Sequence, residues 1–206
     1  MSDFALHIEP IYLDKVIEYA KELHKNQKRK YTEDPYFVHL EAVAKKVEIY
    51  LDDDLPYLCV DYPNEFLEIA RSMLCAAYLH DSLEDTNVTH EELRVWLHDN
   101  ISISEADRVL QLVVELTDVY TKENFPELNR QQRKVFEAHR IGNASEFTQV
   151  IKMCDMLDNT ESIAAHDEKF AKTYLRERNY LLQCMDKIPQ SDIIGILKKH
   201  EASGAN

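Results

Sequence analysis

Two histidines and several carboxylates fall where the hydrophobic pattern calls for apolar residues. Phe66, Ile69, Ala70, Met73 and Ala77 recur at helical spacing, and the same steps continue onto His80, Asp81 and Glu84. His39 sits four residues before Val43 in a second apolar stripe, and Asp155 and Asp158 extend the inward face begun by Phe147, Val150, Ile151 and Cys154. A single buried histidine is most often a hydrogen-bonded core residue. Three helices that each aim ionisable groups at one core are a different matter, because burying them is costly unless they are paired or bound to metal. Two imidazoles and two carboxylates from this set make a mixed nitrogen and oxygen shell, which suits manganese, iron or zinc better than the all-oxygen cage of calcium. Such an ion polarises a phosphoryl oxygen and acidifies water. Glu84, four residues after His80, and Asp85, four after Asp81, would stand beside it as acid–base groups.

The elements that must position these groups read as helices almost throughout. Leu13, Val16, Ile17, Ala20 and Leu23 form one stripe; Leu40, Val43, Ala44, Val47 and Leu51 form another, with Asp34 as its cap and Pro35 in its first turn. Thr89 with Glu92 is a capping-box signature opening a helix around Trp96, and Ser104 precedes a helix carrying Val109, Leu110, Val113 and Leu116. Further helices are expected over 129–141, 145–160, 167–186 and 191–199. Strand-like alternation is not evident, so the expectation is an all-α protein, a compact bundle of about eight to ten helices.

Within 206 residues there are three glycines and no Ser/Gly- or Pro-rich linker, so residues 1–206 are expected to form a single domain. No stretch approaches the ~20 consecutive apolar residues of a membrane span. A formal charge of −14 argues against broad nucleic-acid binding, which depends on Lys and Arg neutralising phosphates. Any phosphate recognition must then be local, in the run from Lys21 to Lys30, which holds Lys25, Lys28, Arg29 and Lys30, or in the weaker run from Arg130 to Arg140. Cys59, Cys75, Cys154 and Cys184 include no Cys-x-x-Cys pair, which predicts reduced, packed thiols. The first residues, MSDFALHIEP, do not read as a secretory signal, so a cytoplasmic location is expected.

The run His80-Asp81-Ser-Leu-Glu84-Asp85-Thr, with Tyr36-Phe-Val-His39 before it and Ile151-Lys-Met-Cys-Asp155-Met-Leu-Asp-Asn159 after it, resembles the HD superfamily. Within that superfamily it is most similar to the hydrolase domain of RelA/SpoT homologues and to the small alarmone hydrolases. The resemblance implies a helical HD-domain fold holding one manganese ion. It also implies a small-molecule nucleotide substrate, with removal of the 3′-pyrophosphate from guanosine tetra- or pentaphosphate, (p)ppGpp. Carried over by position, His39, His80, Asp81 and Asp155 match the metal ligands, and Glu84 and Asp85 match the pair that activates water. Arg29 and Lys30, with Lys28 beside them, match a basic group at the nucleotide base, and Asn159 matches a nucleotide contact. Leu40 stands where the family has proline, Met156 replaces a basic residue, and residues 158–162 depart from the usual sequence. Those departures keep two alternatives in view. One is an HD hydrolase of another nucleotide phosphate, such as an NADPH 3′-phosphatase or a 5′-nucleotidase; the other is a non-catalytic nucleotide-binding module.

Overall fold

A computed structural model describes residues 12–62 and 64–187, and of 53–61 the backbone alone. Among the described residues there are nine helices and no strand, as the apolar spacing predicts. They are α1 (Leu13–Leu23), α2 (Phe37–Asp61), α3 (Phe66–Leu79), α4 (Ser82–Asp85), α5 (His90–Asn100), α6 (Ile103–Leu116), α7 (Arg130–Asn143), α8 (Glu146–His166) and α9 (Glu168–Cys184). The helix expected over 191–199 and the Cys59 side chain lie outside the described residues. No described helix is long and apolar enough to cross a membrane.

Four of the helices begin at side-chain caps. Thr89 and Glu92 close the anticipated capping box at the start of α5, and Asn129 with Gln132 closes a second one at α7. Ser145 caps α8 through the Thr148 N–H, and Asp167 caps α9 through the Phe170 N–H. Two expected starts are placed differently. Ser102, rather than Ser104, occupies the N-cap position of α6, and its hydroxyl bonds Glu105 instead of the backbone. Asp34 does not cap α2, which starts at Phe37. Residues 28–35 form a tight turn instead, closed by an isolated bridge between Lys28 and Pro35 and by the Arg29 N–H donating to the Asp34 carbonyl. Glu33 takes a left-handed conformation there, with φ of 63°.

The core lies around α3, whose Ile69, Ala70, Met73, Leu74, Cys75, Ala76 and Ala77 are all buried. Against it pack α2, with Leu40, Val43, Val47 and Leu51 inward, and α6, with Val109, Leu112, Val113 and Leu116 inward. Leu, Ile, Val or Met side chains buried in this way each contribute roughly 1.5–3 kcal/mol, and the merged stripes fix which face of each helix points inward. α8 packs against α2 and α9, and α9 also lies along α7. α7 and α9 approach closely at Gly142, where an added Cβ would land well inside contact distance of the Cys184 carbonyl oxygen.

Candidate active site

The extended α3 stripe does not run on as one helix. α3 ends at Leu79, Asp81 takes the N-cap position of the one-turn α4, and the break swings Glu84 and Asp85 away from His80. His80 stays buried, while Asp81, Glu84 and Asp85 turn towards a cleft of about 350 Å³. The cleft runs between this turn, α8 and the paired helices α7 and α9.

At its floor the three motifs meet. His39 Nε2 lies 3.3 Å from Asp155 Oδ1 and 3.6 Å from Asp81 Oδ2; His80 Nε2 lies 3.0 Å from Asp81 Oδ2 and 3.8 Å from Asp155 Oδ1. Donor atoms of His39, His80 and Asp155 all fall within 4.8 Å of one another, and Asp81 Oδ2 joins them at the distances just given. Two donors each roughly 2.1 Å from one ion and at about a right angle stand about 3 Å apart, so these separations match a shared ion.

The histidine hydrogen bonds give an independent test of that fit. His39 Nδ1 bonds Asp158 Oδ2 at 2.6 Å, and His80 Nδ1 bonds the Ala77 carbonyl at 2.9 Å. Both partners are acceptors, so Nδ1 carries the proton on each ring and each Nε2 presents a lone pair to the floor of the cleft. Both Nε2 atoms are buried without a hydrogen-bond partner. Orphaned imidazole nitrogens whose other nitrogen is fixed by an acceptor are the arrangement of metal-ligating histidines. The donor set therefore fits a divalent ion.

In the absence of an ion the charges compensate among themselves. Burial works against charged His80, but the Asp81 and Asp155 carboxylates outweigh it and lift the imidazole to about 9. Burial would raise Asp81, yet His80 and then His39 hold it down at about 2. Asp155 is pulled well below the carboxylate range, against its burial, by Lys152 and the two histidines. Lys152 Nζ sits 3.0 Å from Asp155 Oδ2. Tyr36 donates its hydroxyl to Asp81 Oδ2 at 2.6 Å, and burial together with that carboxylate raises the phenol, so it stays a donor. Glu84 differs from the other acids. Burial pushes it up to about 7 despite Lys152, while its Oε1 accepts the Asp118 backbone N–H at 2.6 Å.

The remaining expected residues are placed unevenly. Glu84, Asp85 and Asn159 line the cleft; Asn159 donates to Asp155 Oδ1 at 2.6 Å, and Asp85 accepts from Gln27 at 2.8 Å. Arg29 reaches Asp158 Oδ2 at 3.2 Å and Asn159 Oδ1 at 3.3 Å. The Lys30 ammonium lies over the Phe170 ring, 5.7 Å from its centroid, and that ring lines the cleft. Lys28 turns outward and pairs with Glu33 on the surface, because the Lys28–Pro35 bridge faces it away. Of the Arg130 to Arg140 run, Arg130 and Lys134 line the cleft, whereas Arg133 bonds the Leu128 carbonyl and Arg140 bonds the carbonyls of Glu115 and Thr117.

Several cleft residues were not singled out by the sequence reading, among them Tyr36, Asp118, Lys152, Tyr174 and Arg178. Lys152 carried a signal that could have found it, a lysine three residues before Asp155 on the same helix. Tyr174 and Arg178 carried none, because α9 is amphipathic whichever neighbour it meets.

The fold and the site define an all-helical protein with a His-His-Asp-Asp centre, and a solved structure has the same architecture. That structure, of a metazoan ortholog of SpoT described as hydrolysing ppGpp, superposes with a TM-score of 0.65 at 21% identity, covering 93% of this chain and 96% of its own. In sequence, the chain is 29% identical over 179 residues to the guanosine-3′,5′-bis(diphosphate) 3′-pyrophosphohydrolase of Aquifex aeolicus, covering 86% of this chain and 21% of that protein. It is 28% identical over 163 residues to the corresponding enzyme MESH1 of Xenopus tropicalis, covering 79% and 72%. The chain thus spans about a fifth of the bacterial enzyme and most of MESH1. No protein-family model matches it. These relatives carry the enzyme name that the resemblance implied, and the all-helical fold it implied is the one observed.

Proposed function

We propose that this chain is a metal-dependent phosphohydrolase that releases pyrophosphate from the 3′ position of guanosine 3′,5′-bis(diphosphate). The observation that carries the reading is the pair of buried, orphaned Nε2 atoms, held by Asp158 and the Ala77 carbonyl and facing Asp81 and Asp155. His39, His80, Asp81 and Asp155 would hold the ion; their mixed nitrogen and oxygen shell suits manganese, iron or zinc, and the resemblance to the small alarmone hydrolases puts manganese first. Once bound, the ion supplies Lewis-acid polarisation of a phosphoryl oxygen and acidification of water. The relatives named above act on this nucleotide, and their names supply the substrate.

The rest of the chemistry belongs to the chain itself. Glu84, poised near neutral pH, can hold or release a proton beside the reacting phosphate. Asp85 is fixed by Gln27, whose own oxygen lies 2.6 Å from His24 Nδ1. Lys134, Lys152 and Arg178 stand among the carboxylates that line the cleft and put cations within reach of a phosphate. Arg178 bonds two neutral oxygens, Thr160 Oγ1 and Asn179 Oδ1, which leaves its charge free for a phosphate. Arg29 and Lys30, from the turn before α2, stand over Asn159 and Phe170 as the nucleotide contacts.

The test is incubation of the purified chain with Mn²⁺ and guanosine tetraphosphate, resolving the products by anion exchange. Guanosine diphosphate and pyrophosphate are expected in equal amounts, with an Asp81→Asn variant as the blank. Release no faster than that blank refutes the reading. Orthophosphate from NADPH or from 5′-nucleotides under the same conditions would move the proposal to those substrates.

A further inference from the structure

Buried Glu137 and half-buried Arg140 form an ion pair on α7 that the chemistry above does not use. Glu137 is only 4% exposed. Its Oε1 accepts two successive backbone N–H groups, from Val119 at 2.6 Å and Tyr120 at 2.5 Å, while its Oε2 takes Arg140 Nε at 2.7 Å. The same guanidinium donates NH1 to the Glu115 carbonyl at 2.7 Å and NH2 to the Thr117 carbonyl at 3.0 Å. One ion pair therefore satisfies four backbone groups of the segment that leaves α6.

That segment presents Asp118. Its N–H donates to Glu84 Oε1 at 2.6 Å, and its carboxylate accepts Lys134 at 2.7 Å. Glu84 sits on a helix of four residues, too short to fix a side chain by itself. We propose that Glu137 and Arg140 are positioning residues that clamp residues 115–120 onto α7, so that the Asp118 N–H holds the Glu84 carboxyl and the Asp118 carboxylate holds Lys134 at the cleft. This rests on the role given to Glu84 in the proposed function. It also accounts for part of the Arg130 to Arg140 basic run, which here grips backbone rather than substrate.

The experiment is a double-mutant cycle joined to amide hydrogen exchange. Glu137→Gln keeps an oxygen for the two amides but turns an amide group towards Arg140, and Arg140→Lys keeps the charge but cannot fork across two carbonyls. In either variant, exchange at Asp118, Val119 and Tyr120 is expected to rise about tenfold or more. With guanosine tetraphosphate, kcat is expected to fall about 10- to 100-fold, the scale of a modest misplacement of a catalytic group, with a smaller change in KM. In a Glu84→Gln background the same substitutions are expected to cost clearly less than in wild type, because the part of their effect that passes through Glu84 is already lost. Unchanged exchange at Asp118 overturns the clamp, and so does a kcat loss that multiplies in full with that of Glu84→Gln. A wild-type chain that releases no pyrophosphate refutes the proposed function instead, and Asp118 exchange, which needs no substrate, then decides the clamp alone. Should Glu137→Gln not fold, Arg140→Lys carries both readouts.

Discussion

Replacing Asp158 by alanine tests the metal centre without touching a donor. Asp158 Oδ2 stands 2.6 Å from His39 Nδ1, and His39 is 1% exposed, so the ring depends on that carboxylate as its acceptor. A buried donor left without an acceptor costs about 1–3 kcal/mol, and the ring loses the bond that commits its proton to Nδ1. Arg29 and Lys46, paired to Asp158 at 3.2 and 3.4 Å, would also be released. Substitutions of this kind behind a ligating histidine weaken metal binding by about 10- to 100-fold. That is about 1.4–2.7 kcal/mol. Titrating the metal-free chain with Mn²⁺ by calorimetry should show this loss for Asp158→Ala and a smaller one for Asp158→Asn, whose amide oxygen still accepts from Nδ1. An Asp158→Ala chain that keeps its helical circular dichroism and binds Mn²⁺ within a factor of two of wild type would refute the reasoning.

Other outcomes follow from the same geometry. Glu84→Gln should lower kcat by about 10²–10⁴-fold; the wild-type rate should climb as pH rises through about 7, and that limb should vanish in the variant. Removing metal with a chelator should lower the melting temperature, by roughly 5–10 °C from a saturation of about a hundred times Kd, as read by scanning calorimetry. The metal-free chain should itself lose stability as pH rises from about 6.5 through about 9, because folding raises the pKa of His80 and its charged form is the one paired with Asp81 and Asp155; denaturant titrations across that range measure the slope. Leu112→Ala should cost about 2–5 kcal/mol in the same assay, since α6 packs that side chain fully against α3.

The convergence of these side chains at the cleft floor was legible in the sequence because buried ionisable groups interrupt an otherwise regular apolar stripe. His39, His80 and Asp155 each violate the pattern of their own helix, and the violation is visible without knowing which helices meet. The break after Leu79 was not legible, because His80 and Asp81 continue the helical phase and only tertiary contacts end the helix there. Nor was the start of α2, where Asp34 and Pro35 carry the local signature of a helix opening yet serve the turn from Lys28 to Pro35. The cations of α7 divide by the same logic. Lys134 and Arg140 lie in one exposed-looking run, and their separate duties depend on the loop after α6 folding over α7, a long-range contact that periodicity does not encode.

The close contact between Gly142 and the Cys184 carbonyl sets how near α7 and α9 can lie. That pair forms one wall of the cleft, with Arg130 and Lys134 on one helix and Phe170, Tyr174 and Arg178 on the other. A single methyl at position 142 would meet backbone rather than a pliable side chain, so the far ends of both helices would have to spread. Arg130, at the start of α7, is joined to Glu177 in the middle of α9 through two bonds of 2.8 Å, a second tie between the two helices. The spacing of this wall thus depends on a hydrogen atom where every other amino acid would carry a carbon.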